Sequence, residues 1–134
     1  MTTFTLNIKT EPQQREAVRA EQLRKLAHVR WQRGCEGVSL ESGASFPGDE
    51  NTRSTLAGAV QALQQGMISA PVAWKTPTGF VELSEDELVA AAAAVVQHVQ
   101  QCFVAEAAVA EQIAAAEDPQ AFDVEGAFST AMAQ

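Results

Sequence analysis

Residues Val72–Leu88 read V-A-W-K-T-P-T-G-F-V-E-L-S-E-D-E-L, and this stretch constrains the fold more than any other. Val72, Trp74, Phe80 and Leu83 supply apolar strand positions, and Pro77-Thr78-Gly79 supplies the turn between them. Ser84 and Glu87 follow at once in the S-x-x-E spacing of a capping box, in which each residue satisfies a backbone N–H of the other. Leu83 before the cap and Leu88 after it form a hydrophobic staple. Two antiparallel strands must therefore feed straight into a helix, which sets the class as α+β.

That helix is expected to run from Glu85 to about Glu117, where Pro119 stops it. Leu88, Ala92, Val95, Val99, Cys102, Glu106, Val109 and Ile113 recur alternately every four and three residues, the spacing of a coiled-coil seam. At 1.5 Å per residue such a helix is about 50 Å long, whereas a compact chain of this size has a radius of gyration of about 14 Å. Part of it is expected to project, or to pair with the first helix or with another subunit.

The remaining elements follow from shorter signals. Phe4, Leu6 and Ile8 alternate with polar residues, so residues 3–9 read as a short strand or arm. Thr10 and Gln13 offer a second capping box, and Pro12 fits a first helical turn. This first helix is expected to reach Arg33 and stop at Gly34. Val38-Ser-Leu40 and Ala44-Ser-Phe46, set among glycines, read as a small hairpin. Asp49 or Asn51 then caps a helix over about residues 51–65, with Leu56, Ala59, Val60 and Leu63 on its apolar face and Gly66 at its end.

Length and composition narrow the setting. A chain of 134 residues with 46% hydrophobic and 19% charged residues reads as one globular domain able to bury a core without disulfide or metal. Cys35 and Cys102 are far apart and read as reduced thiols. The N-terminus lacks the basic and apolar blocks of a secretory signal, and no apolar run is read as a membrane span, so the expectation is a cytosolic product without membrane insertion. Residues 1–35 hold seven basic side chains against three acids, and residues 36–134 hold two against fourteen. A basic first helix beside an acidic remainder suggests complementarity within or between subunits. A net charge of -8 argues against phosphate-rich nucleic acid as a partner.

The residues offer no reaction centre. His28 and His98 lie on different helices without metal-ligand spacing. His98 and Cys102 share a helix face, but an imidazole–thiolate pair also needs an orienting group and an oxyanion site. The acids Glu85, Asp86 and Glu87 suit a helix N-terminus, and the glycines of residues 34–48 match neither phosphate-binding fingerprint. The expectation is a non-enzymatic protein with no catalytic, metal or cofactor-binding residues. Trp74 is read as the anchor of the second hairpin, and Trp31 as either core or interface.

Several segments, taken in order, resemble a small domain of otherwise unknown function found in tailed-bacteriophage tail proteins. They are Arg30-Trp31-x-Arg33, Gly37-Val38, Gly43-x-x-Phe46 and Asp49-Glu50-x-x-Arg53, followed by Trp74-Lys75-Thr76-Pro77-x-Gly79 and Val81-x-Leu83-Ser84. Val96-x-His98-Val99-x-x-Cys102-Phe103-x-x-Glu106, Ile113-Ala-Ala-Ala and Asp123-Val-Glu-Gly126-Ala-Phe128 complete the pattern, which covers roughly residues 15–128. The domain often ends tail-fibre or tail-spike polypeptides and sometimes stands alone, and this chain looks like the free-standing form. The resemblance implies a structural component of a tail tip, baseplate or fibre attachment, located in the virion tail and in the host cytoplasm during assembly. A tail-fibre assembly chaperone absent from mature particles is the alternative.

The expected organisation is an N-terminal strand or arm over 1–10, a helix-hairpin-helix-hairpin-long helix domain over 11–118, and a C-terminal docking tail over 119–134. That makes three helices, one of them long and C-terminal, with two small β-hairpins. Partners are expected to be phage tail, baseplate or tail-fibre proteins, together with further copies of the chain in a symmetric assembly. The residues expected to meet them are Trp31 with Arg30 and Arg33 at the basic helix end, Val109 and Ile113 far along the seam, and Phe122 and Phe128 in the tail.

Overall fold

The computed structural model describes residues 10–134, so the reading of residues 3–9 as a strand or arm lies outside the described residues. The described chain is α+β, in the order α1 (Glu11–Glu36), β1 (Val38–Ser39), β2 (Ser45–Phe46), α2 (Glu50–Gln64), β3 (Val72–Thr76), β4 (Gly79–Leu83), α3 (Glu85–Ala115) and α4 (Val124–Met132). A single 3-10 turn, Pro119–Ala121, lies between the last two helices.

Local chemistry accounts for most boundaries. The Thr10 N–H donates to Gln13 Oε1 at 2.9 Å and the Gln13 N–H to Thr10 Oγ1 at 3.4 Å, closing the first capping box. α1 runs past Gly34, which stays helical, and ends before Gly37, whose φ of 70° supplies the left-handed residue a helix stop needs. Asp49 caps α2 by accepting from the Thr52 N–H at 3.1 Å and the Thr52 hydroxyl at 2.6 Å. These two hydrogen bonds hold its carboxyl below the ordinary aspartate range.

The long helix opens as its sequence requires. The Glu87 N–H donates to Ser84 Oγ at 3.1 Å, and the Ser84 N–H donates to Glu87 Oε1 at 3.2 Å. Ser84→Ala removes one member of this pair and is expected to lower stability by about 1 kcal/mol, read as a fall in the midpoint of a circular dichroism melt. An unchanged midpoint would place the energetic start of the helix elsewhere.

The chain divides into two compact units. The second, Arg30–Val104, holds both hairpins and α2. Its interior is built from Phe46, Leu56, Leu83, Leu88, Ala91 and Val95, against which Val38, Leu40, Val60, Leu63, Trp74 and Val81 pack. β1 and β2 pair antiparallel with Val38 opposite Phe46, and β3 and β4 pair with Val72 opposite Leu83 and Thr76 opposite Gly79. Trp74 is half-buried rather than enclosed, its ring centroid 6.3 Å from that of Phe46.

Pleating sorts the apolar residues of the second hairpin between its two faces. Val81 and Leu83 face inward, so Phe80 must face outward, where it is 75% exposed and lies beneath the Lys75 ammonium, 5.9 Å from its ring centroid.

The other unit combines the residues up to Val29 with Ala105–Gln134. Its buried side chains include Leu26, Val29, Ala105, Val109, Ile113, Val124 and Phe128. The segment after Pro119 docks here. Gln22 Nε2 donates to the carbonyls of Pro119 at 2.9 Å and Phe122 at 3.2 Å, and Arg19 Nη2 donates to the Ala116 carbonyl at 2.9 Å. Residues expected to form only a docking tail thus contain a fourth helix. Asp123 caps it through the Gly126 N–H at 3.0 Å, and Val124 and Phe128 form its inward face.

The seam of α3 is largely covered within the chain. Leu88, Val95, Cys102, Val109 and Ile113 are fully buried, and Ala92, Val99 and Glu106 are half-buried. One expectation about this helix needs correcting. An 18-residue window reaches a mean hydropathy of 1.5, so by length and composition alone α3 could cross a membrane. The window is rich in alanine, which raises hydropathy without much side-chain area, and Leu88, Ala91 and Val95 within the helix belong to the interior of a folded unit.

Candidate interaction surface

Three segments distant in sequence meet in one cleft of about 200 Å³ in the Arg30–Val104 unit. The last turns of α1 contribute Arg30, Trp31, Gly34 and Cys35. The start of α2 and the residues before it contribute Gly48, Asp49, Glu50 and Arg53. α3 contributes Val99, Cys102 and Phe103.

The backbone approach that shapes the cleft depends on glycine. A Cβ at Gly48 would collide with the Gly34 carbonyl oxygen, so only glycine lets the chain entering α2 lie against the end of α1. The Gly48 N–H in turn donates to the Cys35 carbonyl at 3.3 Å.

Polar groups line the rim. The Arg30 guanidinium stands over the Phe103 ring, 4.6 Å from its centroid, a cation–π contact. Arg53 donates its Nε to the Gly48 carbonyl at 3.2 Å, and among the described residues its two terminal nitrogens have no hydrogen-bond or ion-pair partner. The Asp49 carboxylate is committed to Thr52. Trp31 is 56% exposed, and Phe103 is also exposed.

The thiol at the floor is not set up as a nucleophile. Burial pushes the Cys102 thiol up from its ordinary value, only partly opposed by the charges of Arg33 and Arg30. His98 Nε2 lies 2.8 Å from the Arg33 carbonyl oxygen, which can only accept, so this nitrogen carries the proton. The same nitrogen is the one 3.8 Å from Cys102 Sγ, so it cannot also withdraw the thiol proton. The arrangement suits recognition by shape, aromatic surface and guanidinium.

The expected partner residues divide into two groups. Trp31 and Arg30 line the cleft, while Arg33, half-buried beside them, acts through its backbone on His98. Val109, Ile113 and Phe128 are removed from the surface altogether, being fully buried inside the chain's own first unit, and Phe122 is half-buried there. Other large apolar residues that were not anticipated at the surface are exposed, among them Phe80, Met67, Val89, Val96, Phe103 and Val104. The spacing of Val89, Val96 and Phe103 by seven residues was a readable signal, one residue out of step with the buried seam.

A family model described as "Domain of unknown function (DUF4376)" matches residues 17–126. No curated protein and no solved structure matches the chain.

Proposed function

The chain belongs to the DUF4376 family, and from that premise we propose that it is a non-enzymatic structural component of a bacteriophage tail. In this reading it sits at a tail tip, baseplate or fibre attachment and binds other virion proteins in several copies. The observation that carries the reading is the meeting of Arg30 and Trp31, of Asp49, Glu50 and Arg53, and of Val99, Cys102 and Phe103 in one surface cleft. These residues come from three of the separate segments that resemble the tail-protein domain. Their convergence gives that pattern a single physical purpose, an aromatic and guanidinium surface suited to protein contact.

Mass spectrometry of purified phage particles tests the assignment, with copy number taken relative to the tail-tube protein. The expected result is a fixed, reproducible stoichiometry. Abundance in infected lysate with absence from particles would overturn the virion role and favour the assembly chaperone.

A further inference from the structure

A hairpin that forms a sheet by itself leaves the outer edge of each strand without a neighbour. The register fixes which groups stand on those edges. Thr76 opposite Gly79 flanks the turn and is hydrogen-bonded, as are Trp74 opposite Val81 and Val72 opposite Leu83. Lys75 opposite Phe80 and Ala73 opposite Glu82 are the alternate pairs, whose N–H and C=O groups point away from each other. β4 therefore presents the backbone groups of Phe80 and Glu82 along its outer edge, and among the described residues none of these groups has a hydrogen-bond partner. The chain does not close over this edge, because a recess of about 370 Å³ opens beside it between residues 81–83 and 42–44. Phe80 and Glu82 are both exposed. The Lys75 ammonium lies over the Phe80 ring, and neither it nor the Glu82 carboxylate has an ion-pair partner among the described residues.

We propose that β4 pairs edge to edge with β4 of a second copy of the chain, antiparallel, about a two-fold axis through Val81. A two-fold contact must be self-complementary, with residue i meeting j and j meeting i. With Val81 opposite Val81, Phe80 faces Glu82 of the other copy and Glu82 faces its Phe80. The outward backbone groups of both pairs then meet and exchange their hydrogen bonds. Centring the axis on Glu82 would set acid against acid, and centring it on Phe80 would place Glu82 opposite Thr78 of the turn.

Charge identifies the occupant as a second copy. In this register Lys75, Phe80 and the other copy's Glu82 follow one another across three strands on the outward face. The ammonium already lies over the ring between them, so each copy brings an unpaired carboxylate to the other's unpaired ammonium. Lys75 is one of only two basic residues after position 35, and the pairing uses it in each copy. The two Glu82 side chains lie diagonally across the axis, each on the row of the other copy's Lys75. The two Phe80 rings are likewise diagonal neighbours, within reach of each other. Pairing through β3 instead would set Lys75 beside Ala73 and leave Phe80 at the rim. β4 is about 17 Å long, so the contact is small and gives a reversible, concentration-dependent dimer and not an obligate one.

This inference deepens the multi-copy reading above and rests on it only for its biological setting. A chain that is monomeric in solution yet fixed in virions would overturn the inference and leave that reading standing.

Sedimentation equilibrium of the full chain, from about 1 μM to about 1 mM, is expected to show a monomer–dimer equilibrium. Amide hydrogen exchange locates the contact. The N–H groups of Phe80 and Glu82 should become protected as concentration rises, while those of Ala73 and Lys75, on the outer edge of β3, should not. Lys75→Glu should weaken the dimer about tenfold in low salt and little in high salt, and adding Glu82→Lys should restore it. Both residues are exposed, so these variants should melt as the parent does. Glu82→Pro, which removes the N–H that would bond to the other copy's Phe80, should weaken association at least about tenfold. A chain that stays monomeric to about 1 mM, or a dimer in which Phe80 and Glu82 exchange as in the monomer, overturns the proposal. Should Glu82→Pro misfold, the charge variants decide: a dimer that Lys75→Glu leaves unaltered in low salt also overturns it.

Discussion

Gly37→Ala is expected to cost at least about 4 kcal/mol, among the largest effects of a single methyl group. Gly37 has a φ of 70°, which alone disfavours a side chain by about 1–2 kcal/mol. The added Cβ would also collide with the Phe46 carbonyl oxygen and crowd the Pro47 Cα. Relief requires moving the backbone of Phe46, whose ring is fully buried in the core of its unit. Gly43→Ala serves as the control. Its φ is 91°, but nothing lies within 4 Å of the added Cβ, so only the conformational cost of about 1–2 kcal/mol should appear. Urea denaturation of both variants measures the difference. Equal losses would mean that the collision at Gly37 is relieved without disturbing Phe46.

Phe128→Ala should cost about 3–5 kcal/mol through loss of a fully enclosed ring. It tests whether the C-terminal helix is an integral part of its unit. α4 has nine residues, too few to be helical in isolation. Its stability must come from the burial of Val124 and Phe128 and from the hydrogen bonds that tie the preceding turn to Gln22. The variant should therefore lose helical signal as well as melting temperature. A loss below about 1 kcal/mol would mean that the ring contributes little of the transfer and packing energy expected of a buried Phe.

Where the controlling interactions are local, sequence alone located the elements. The second hairpin, the capping box of Ser84 and Glu87 and the start of α3 are set by residues no more than a few positions apart, and they stand where expected. α2 and its Asp49 cap are similar. Phe80 stands in β4 as expected, and the parity of the strand, with Val81 and Leu83 inward, sets its outward face. The end of α1 was misplaced because two glycines were available and only Gly37 takes a positive φ.

The rest depends on contacts distant in sequence. α4 is short, and its signals were read as a docking tail because the partners that hold it, Gln22 above all, lie about a hundred residues earlier. Val109 and Ile113 show the same limit. Periodicity places them on an apolar face but does not say whether the chain or a neighbour covers it, and here the chain does. The cleft joins residues of α1, α2 and α3 that share no local pattern, so its existence is a property of the fold.

The uneven charge distribution reaches into how the molecule must be detected. Lys75 lies within β3, and no lysine or arginine follows it, so α3 and α4 lack any site for trypsin or for an amine-directed cross-linker. A tryptic survey of phage particles would register this protein through its first half alone. A glutamate-directed protease, with Glu87, Glu106, Glu111, Glu117 and Glu125 as targets, would recover the half that holds α3 and α4.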